Sequence, residues 1–372
     1  MTFAIRTVIA LRCLRFGTNK QVYQSMSERT SVDSGPKSLA DEESLRLMDT
    51  SGLLENEKIR TRINLINEEI KRCLLDEDGE PPILYETTRH LILAGGKRLR
   101  SLLLVLCAEA VGGSVVDALP FAVATEFVQT ASLIHDDVVD EDNIRRGVET
   151  THKKYGRKMA IIAGDLLVAL AIKLIGERST PELLTYVAAG GIRMCEGEAA
   201  DLLLSQDKIQ SYTTDAALEI IRMKTVSFMT AAAKVGAMLG KADKNQIEAL
   251  IKYSENLGYS FQIRDDILDI VATQNGTGKT VLSDLRGSRS NYVLAHAVER
   301  CSSKQKEEFV RKLNDGDLEY ALQRISESRS VEESIEVSRK FMLEAKEAIR
   351  GYEFANEELL LLLANFAMKR LF

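Results

Sequence analysis

The 372-residue sequence predicts an all-α domain of about ten or more helices around a central apolar cavity. From about Asp49 onward, apolar residues recur at intervals of three and four, which is the spacing of a helix face. No segment alternates between apolar and polar residues as a half-buried strand does, and no βαβ rhythm is present. Five prolines and a hydrophobic content of 45% agree with long helices that bury a sizeable core.

The predicted helices follow one another with short turns between them. The segment "NEKIRTRINLINEEIKRCLL" (Asn56 to Leu75) is amphipathic and predicts the first helix. Later segments are apolar on nearly all sides, as is typical of helices buried in a core. These segments are "SLLLVLCAEAVG", "LPFAVATEFVQTASLIHD", "MAIIAGDLLVALAIKLIG", "ALEIIRMKTVSFMTAAAKVGAMLG" and "QIEALIKYSENLGYSFQIRDDILDIV". The turns between helices are marked by Gly112, Gly113, Gly176, Gly240 and Gly276.

The amino-terminal segment differs in composition from the rest of the chain. Residues 1–27 contain four basic residues and no acidic residue, which is typical of an organelle transit peptide. The alternative is a disordered basic tail, and a secretory signal is disfavoured because Arg6 and Arg12 interrupt any apolar core. Residues 28–48 are polar and predict a linker, which leaves 49–372 for the helical domain. We expect a mitochondrial protein, with the plastid or another organelle as the alternative.

The overall charge and the cysteines exclude several classes of protein. The formal net charge of −6 provides no basic field for nucleic acid. The five cysteines lie far apart and form no C-x-x-C pair, so we expect a reducing compartment without disulfides or a zinc site. No run after the first residues is long and apolar enough to predict a transmembrane segment.

Pairs of aspartates end two of the apolar helices. Asp136 and Asp140 are four residues apart and therefore share one helix face, and Asp265 and Asp269 repeat the spacing. Like charges at this spacing repel each other, and the helix dipole is negative at a carboxyl terminus. Both effects are unfavourable, so the repeated arrangement indicates that a cation compensates the charge.

The ligand type favours Mg²⁺ as this cation. Carboxylate oxygens without a histidine or cysteine cluster suit magnesium, which commonly shares its ligand shell with substrate phosphates. A solvated helix face is the alternative interpretation of a single D-D-x-x-D segment, but it does not explain why a second copy also ends an apolar helix.

Basic residues near these aspartates predict a pocket for diphosphates. Arginine forks and lysine ammonium groups both suit phosphate oxygens. The candidates are Arg145 and Arg146 after the first aspartate pair, Lys97, Arg98 and Arg100 in "GGKRLR", Lys224 beside Thr225, and Lys279. Each of these alone is typical of a surface residue, but together with two metal sites they indicate a binding site for anionic groups.

Four motifs together resemble those of the trans-isoprenyl diphosphate synthases, in particular the long-chain polyprenyl (solanesyl-like) diphosphate synthases. They are "GGKRLR", "DDVVDEDNIRRG", "MKT" and "FQIRDDILD", in the order and at the spacing of that family. The resemblance runs from about Tyr85 to about Ala297. It implies an isoprenoid synthase-type helical bundle, usually a homodimer, in which the two aspartate motifs face each other. The implied reaction is the Mg²⁺-dependent head-to-tail condensation of isopentenyl diphosphate with an allylic primer, farnesyl or geranylgeranyl diphosphate.

The resemblance also implies a role for each matching residue. The expected metal ligands are Asp136, Asp140 and Asp265, with Asp269 in support. The residues expected to bind the allylic diphosphate are Arg145, Lys224, Thr225, Gln262 and Lys279. Those expected to bind the diphosphate of isopentenyl diphosphate are Lys97, Arg100 and Arg146. The predicted catalytic residues are Asp136, Asp140, Asp265 and Lys224. Many long-chain members have histidine where this chain has Gln129, whose side-chain amide still donates a hydrogen bond.

Small residues before the first aspartate pair predict a long product. In this family the fifth residue before that pair is a bulky aromatic in short-chain enzymes, and here it is Ala131. Val128 precedes it by about one turn, and Ala124 lies on the same face. The alternative is that Ala131 only permits close helix packing. We therefore expect a long polyprenyl diphosphate, used as a ubiquinone side-chain precursor, with peripheral membrane association for its release.

One segment departs from the family pattern. After Asp284 members usually carry a G-K-x-T-x-P-like segment, whereas this chain reads "GSRSNYVLAHA" from Gly287 to Ala297, with Arg289 replacing the usual lysine. This difference bears on how the protein closes over the diphosphates and on the activity of the chain alone. The alternatives to a long-chain enzyme are a non-catalytic or partly active subunit of a heteromer, a farnesyl or geranylgeranyl synthase, and a class I terpene cyclase. The subunit is disfavoured because both aspartate motifs are intact, and the cyclase because it has no need for "GGKRLR".

Overall fold

The computed structural model describes residues 55–176, 178–207, 212–271 and 289–368, without the side chains of 204–207, 310, 314, 367 and 368. The predicted transit peptide (1–27), the predicted linker (28–48) and Lys279 lie outside the described residues. Within the described residues the protein is almost entirely helical, which confirms the predicted all-α class.

The helices are numbered here in chain order. The first seven are α1 (Glu57–Leu75), α2 (Pro82–Leu93), α3 (Leu99–Ala110), α4 (Val115–Asp140), α5 (Thr151–Tyr155), α6 (Arg157–Gly176) and α7 (Pro181–Asp207). Then follow α8 (Thr214–Ile221), a π-helix (Arg222–Val226), α9 (Ser227–Leu239), α10 (Lys244–Val271) and α11 (Tyr292–Glu299). The last are α12 (Ser303–Asn314), α13 (Leu318–Glu327), α14 (Ser330–Ile349) and α15 (Glu357–Met368).

Helix α3 is the centre of the core, and it is apolar on nearly all sides because it is buried on nearly all sides. Leu102, Leu103 and Cys107 pack with residues of α1, α9, α10, α14 and α15. Leu104 and Val105 face the other way and pack with residues of α1, α2, α4 and α6. Two hydrophobic clusters thus share α3, and burial of their apolar surface is the main favourable term that holds α4 and α10 in place.

A short β-hairpin follows α4, which differs from the expectation of no strand. Ile144–Arg145 (β1) pairs antiparallel with Val148–Glu149 (β2). The two turn residues, Arg146 and Gly147, have φ of +53° and +76°, the left-handed conformation that suits a tight hairpin. Strands of two residues are too short to produce an alternating pattern, so they could not be predicted from periodicity.

The predicted helix around "RMKTV" is also interrupted. Residues Arg222–Val226 form one π-helical turn between α8 and α9. Such a turn inserts an extra residue without ending the helix, and it is frequent at functional sites. The apolar periodicity on both sides is little changed, so the sequence predicted one continuous helix.

Helix α6 is the one helix among the described residues whose length and composition would allow it to cross a bilayer. It packs extensively against α4 and also contacts α2 and α5. Helices of protein cores have the same composition, so this feature is weak support for membrane insertion.

Candidate active site

All predicted site residues that belong to the described part of the chain line a single cavity of about 1270 Å³. They are Lys97, Arg100, Val128, Gln129, Ala131, Asp136, Asp140, Arg145, Arg146, Lys224, Thr225, Gln262, Asp265 and Asp269. The cavity also has apolar walls, formed among others by Leu202, Ile221, Phe261 and Leu268. Polar groups that the sequence spreads over more than 170 positions are thus gathered around one space.

The first aspartate motif lies at the carboxyl end of α4, as predicted. The helix ends where Glu141 adopts φ of +57° and the Asp142 amide donates to the Asp137 carbonyl. Burial, together with the charge of Glu198, raises the pKa of Asp136 to about 6, although the charge of Lys224 opposes the shift. The ionised carboxylate of Asp136 is therefore unfavourable in the protein alone, and added positive charge would stabilise it.

The second aspartate of each D-D pair has a structural role. Asp137 is fully buried and its Oδ1 accepts a hydrogen bond of 2.7 Å from Arg145 Nε. Asp266 accepts hydrogen bonds from the Tyr292 amide at 2.7 Å and from Gln262 Nε2 at 3.0 Å. These bonds fix the helix ends, and they place Asp136 and Asp265 at the wall of the cavity.

Lys224 and Thr225 reach the cavity from the π-helical turn. Lys224 Nζ lies 2.6 Å from both Glu198 Oε2 and Asp201 Oδ2 of α7. Burial lowers the pKa of Lys224, but the two carboxylates outweigh it and the pKa is raised, so the lysine carries its charge. Thr225 Oγ1 donates to Gln262 Oε1 at 2.8 Å, which joins this turn to α10.

Gly197 permits the close contact between α7 and the π-helical turn. A Cβ atom at this position would lie 2.7 Å from the Lys224 amide nitrogen and from Met223 Cβ. Substitution Gly197→Ala should therefore displace Lys224 and lower kcat by about 10- to 100-fold. The measurement is steady-state kinetics of chain elongation, with circular dichroism to check the fold.

Gly191 on the same helix supplies the matched control. A Cβ atom there would have no heavy atom within 4 Å, so Gly191→Ala should leave kcat unchanged. Equal activities for the two variants would show that the close contact at Gly197 does not set the position of Lys224.

The opposite end of the cavity is basic. Gly95 and Gly96 have φ of +98° and +146°, which allows the chain to turn sharply before Lys97 and Arg100. The guanidinium of Arg146 packs on Gly96, where a Cβ atom would lie 3.2 Å from Arg146 Cζ. Burial lowers the pKa of Arg146 to about 10, a value at which it still carries its charge near neutral pH.

Arg145 and Arg146 leave the hairpin in different directions. Arg145 donates to Asp137 and, at 2.8 Å, to Asp142 Oδ2, so its guanidinium is held at the end of α4. Arg146 Nη1 instead donates to the Leu91 carbonyl at 3.0 Å, beside the glycine loop. The two guanidinium groups therefore lie at different parts of the cavity, and their roles in binding two diphosphates stay predictions.

Three further charged residues belong to the site, and the sequence did not identify them as a group: Glu198, Asp201 and Arg289. Arg289 forms ion pairs with Asp140, with Glu198 at 3.0 Å and with Asp201 at 3.5 Å. The Ser290 amide donates to Asp201 Oδ1 at 2.7 Å, which fixes the backbone beside Arg289. The available signal was a pair of carboxylates three apart, Glu198 and Asp201, which share one helix face directly before the apolar run 202–204.

The donor chemistry of the acidic end fits a hard divalent cation. In the parts of the chain that the structure describes, no three histidine, cysteine or acidic side chains are grouped as a ready-made metal site. The carboxylates of Asp136, Asp140, Asp265 and Asp269 nevertheless line the same cavity, and oxygen ligands of this kind suit Mg²⁺. The raised pKa of Asp136 indicates a carboxylate that such a cation would stabilise.

An all-helical domain whose cavity joins a carboxylate-rich end, a basic end and apolar walls defines a class of enzymes that act on diphosphates of apolar molecules. The family model of the polyprenyl synthetases matches residues 81–325. The chain belongs to this family, the trans-isoprenyl diphosphate synthases, and is therefore a prenyltransferase whose substrates are isoprenyl diphosphates.

Known proteins agree on the family and differ in product. A short chain isoprenyl diphosphate synthase of Methanothermobacter thermautotrophicus is 33% identical over 84% of this chain and 97% of its own. A polyprenyl synthase of Caulobacter crescentus, solved with calcium and isoprenyl diphosphate, has a TM-score of 0.78 and 30% identity over 87% of this chain and 98% of its own. A decaprenyl diphosphate synthase of Rhodobacter capsulatus has a TM-score of 0.75 and 29% identity over 86% of this chain and 97% of its own. The relatives thus include both short-chain and long-chain enzymes.

Proposed function

We propose that the protein is a long-chain polyprenyl diphosphate synthase that extends farnesyl or geranylgeranyl diphosphate with isopentenyl diphosphate. The observation that carries this proposal is the small-residue wall of α4. Ala131 and, about one turn deeper, Val128 both line the cavity below the first aspartate motif. A growing apolar chain would pass these residues without meeting a bulky side chain. A shorter product, such as geranylgeranyl diphosphate, is the second candidate, because several relatives are named as short-chain synthases.

The residues at the two ends of the cavity suit the chemistry of this reaction. The allylic C–O bond ionises, the alkene of isopentenyl diphosphate attacks the carbocation, and a proton is then lost. Lys224 would stabilise the negative charge that builds on the departing diphosphate. The apolar walls would exclude water from the carbocation. A divalent cation held by Asp136, Asp140 and Asp265 would supply further positive charge at the same end.

The test is incubation of the purified protein with Mg²⁺, radiolabelled isopentenyl diphosphate and each allylic primer, followed by separation of products by chain length. Products well beyond twenty carbons support the long-chain proposal. Products that stop at fifteen or twenty carbons favour the short-chain candidate. No elongation by the protein alone would instead indicate a subunit that needs a different partner chain.

We further propose that the enzyme is a homodimer that uses exposed faces of α6 and α7. Ile161 and Ile172 on α6 are exposed, as are Ile192 and Leu203 on α7, and Leu203 is 68% exposed. Val168 of α6 and Cys195 of α7 line the cavity close to these faces. A second copy would cover the apolar side chains and thereby close the adjacent wall of the cavity.

Sedimentation velocity at micromolar concentration tests the dimer. We expect a mass of about twice the 41.4 kDa chain for the wild type. The double variant Ile172→Lys with Ile192→Lys should be monomeric, whereas Leu343→Lys, an exposed apolar position on α14, should remain dimeric. A monomeric wild type would contradict the proposal.

Mitochondrial localisation and use of the product for ubiquinone stay predictions from the amino-terminal composition and the predicted chain length.

A further inference from the structure

A buried carboxylate, Glu126 of α4, lies among the arginines at the basic end of the cavity. Its side chain lines the cavity and the residue is only 3% exposed. Oε2 accepts a hydrogen bond of 3.0 Å from Arg98 Nη1, and Oε1 accepts one of 2.8 Å from Ser101 Oγ. A negative charge beside a site for diphosphates would repel the ligand. We therefore expect the carboxylate to have a function at this position that outweighs the repulsion.

The first partner of Glu126 is Arg98. It stands between Lys97 and Leu99 with φ of +52°, at the amino terminus of α3. Besides Glu126, its guanidinium donates to Asn67 Oδ1 of α1 and to the Ile92 carbonyl of α2, both at 2.9 Å. Arg98 is therefore an internal anchor that fixes the loop from which Lys97 and Arg100 project. Glu126 supplies the counter-charge that such a buried guanidinium requires.

The charge of Glu126 also acts on Arg146. Its guanidinium packs on Gly96 of the same loop and donates to the Leu91 carbonyl. Burial makes the charged form of Arg146 less favourable, and the charge of Glu126 opposes this effect. One carboxylate thus pairs with the arginine that anchors the loop and also favours the charged form of Arg146, which packs on the same loop.

We propose that Glu126 is a positioning residue for the diphosphate of isopentenyl diphosphate. It acts through Arg98, which fixes the loop that presents Lys97 and Arg100 and on which the Arg146 guanidinium packs. The inference rests on the proposed function, which assigns this end of the cavity to that diphosphate. It goes further in that a carboxylate, rather than another cation, sets the geometry of the subsite.

The experiment compares Glu126→Gln with Glu126→Asp and with Glu109→Gln in steady-state kinetics. In Glu126→Gln the KM for isopentenyl diphosphate should rise about tenfold or more, because Arg98, which anchors the loop, loses its counter-charge. The KM for the allylic primer should change less than twofold. Glu126→Asp keeps the charge and should recover most of the affinity. Glu109 forms a comparable, largely buried ion pair with Arg62 outside the cavity, so Glu109→Gln should leave both KM values unchanged.

An unchanged KM for isopentenyl diphosphate in Glu126→Gln, or an equal rise for both substrates, would overturn the proposal. If Glu126→Gln does not fold, Ser101→Ala, which removes one hydrogen bond to Glu126, provides the same comparison with a smaller expected rise of about two- to fivefold. Failure of the proposed function would be seen separately, as absence of elongation by the wild type or as no effect of Lys97→Gln on the KM for isopentenyl diphosphate.

Discussion

Replacement of Asp136 by asparagine is expected to lower kcat by about 10²- to 10³-fold or more. Asparagine keeps the size of the side chain but removes the charge that would hold a divalent cation at the end of α4. The pKa of Asp136 is raised to about 6, so its ionised form is unfavourable in the folded protein at pH 8. The variant should therefore fold, with a melting temperature of the metal-free protein equal to or above that of the wild type.

Kinetics and differential scanning calorimetry at pH 8 test both parts of this prediction. Asp117 lies in the first turn of the same helix and is exposed, so Asp117→Asn is a matched control that should keep full activity. An Asp136→Asn enzyme that retains more than a tenth of the wild-type kcat would show that this carboxylate is dispensable. A large fall in its melting temperature would show that the carboxylate stabilises the fold.

Substitution Ala131→Phe is expected to shorten the main product by several isoprene units. Ala131 is buried and lines the cavity directly below the first aspartate motif, so a phenyl ring there would stop the growing chain near the site of condensation. Separation of radiolabelled products by chain length measures the effect. The kcat for the first condensation should remain within about tenfold of the wild type, since the ring blocks only the deeper part of the cavity.

Val128→Phe provides the comparison for this prediction. It places the same ring about one helical turn, roughly 5 Å, deeper along α4. Its product should therefore be longer than that of Ala131→Phe and shorter than that of the wild type. Identical products from both variants and the wild type would mean that the chain does not follow α4, and the wall near Val168 of α6 would be the alternative route.

The helices and their burial were accessible from the sequence because they depend on local periodicity. The helix predicted for Asn56 to Leu75 is α1, with Asn56 as its N-cap, where the side chain accepts from the Ile59 amide. The segment "SLLLVLCAEAVG" is α3, which is surrounded by two hydrophobic clusters. The aspartate pairs were found for the same reason, since a spacing of four on an apolar helix places two charges on one face whatever the rest of the fold does.

Contacts between distant segments required the tertiary structure. Lys224 was predicted as a cation for the diphosphate, but its pairing with Glu198 and Asp201 depends on how α7 is rotated against the π-helical turn. The same is true of Glu126 and Arg98, which are 28 residues apart and meet only because α3 packs on α4. Periodicity shows which face of a helix is buried, but it does not show which partner that face meets. The amino-acid pattern therefore determines the helices and the reactive groups, whereas helix packing determines which of those groups face substrate and which hold them in place.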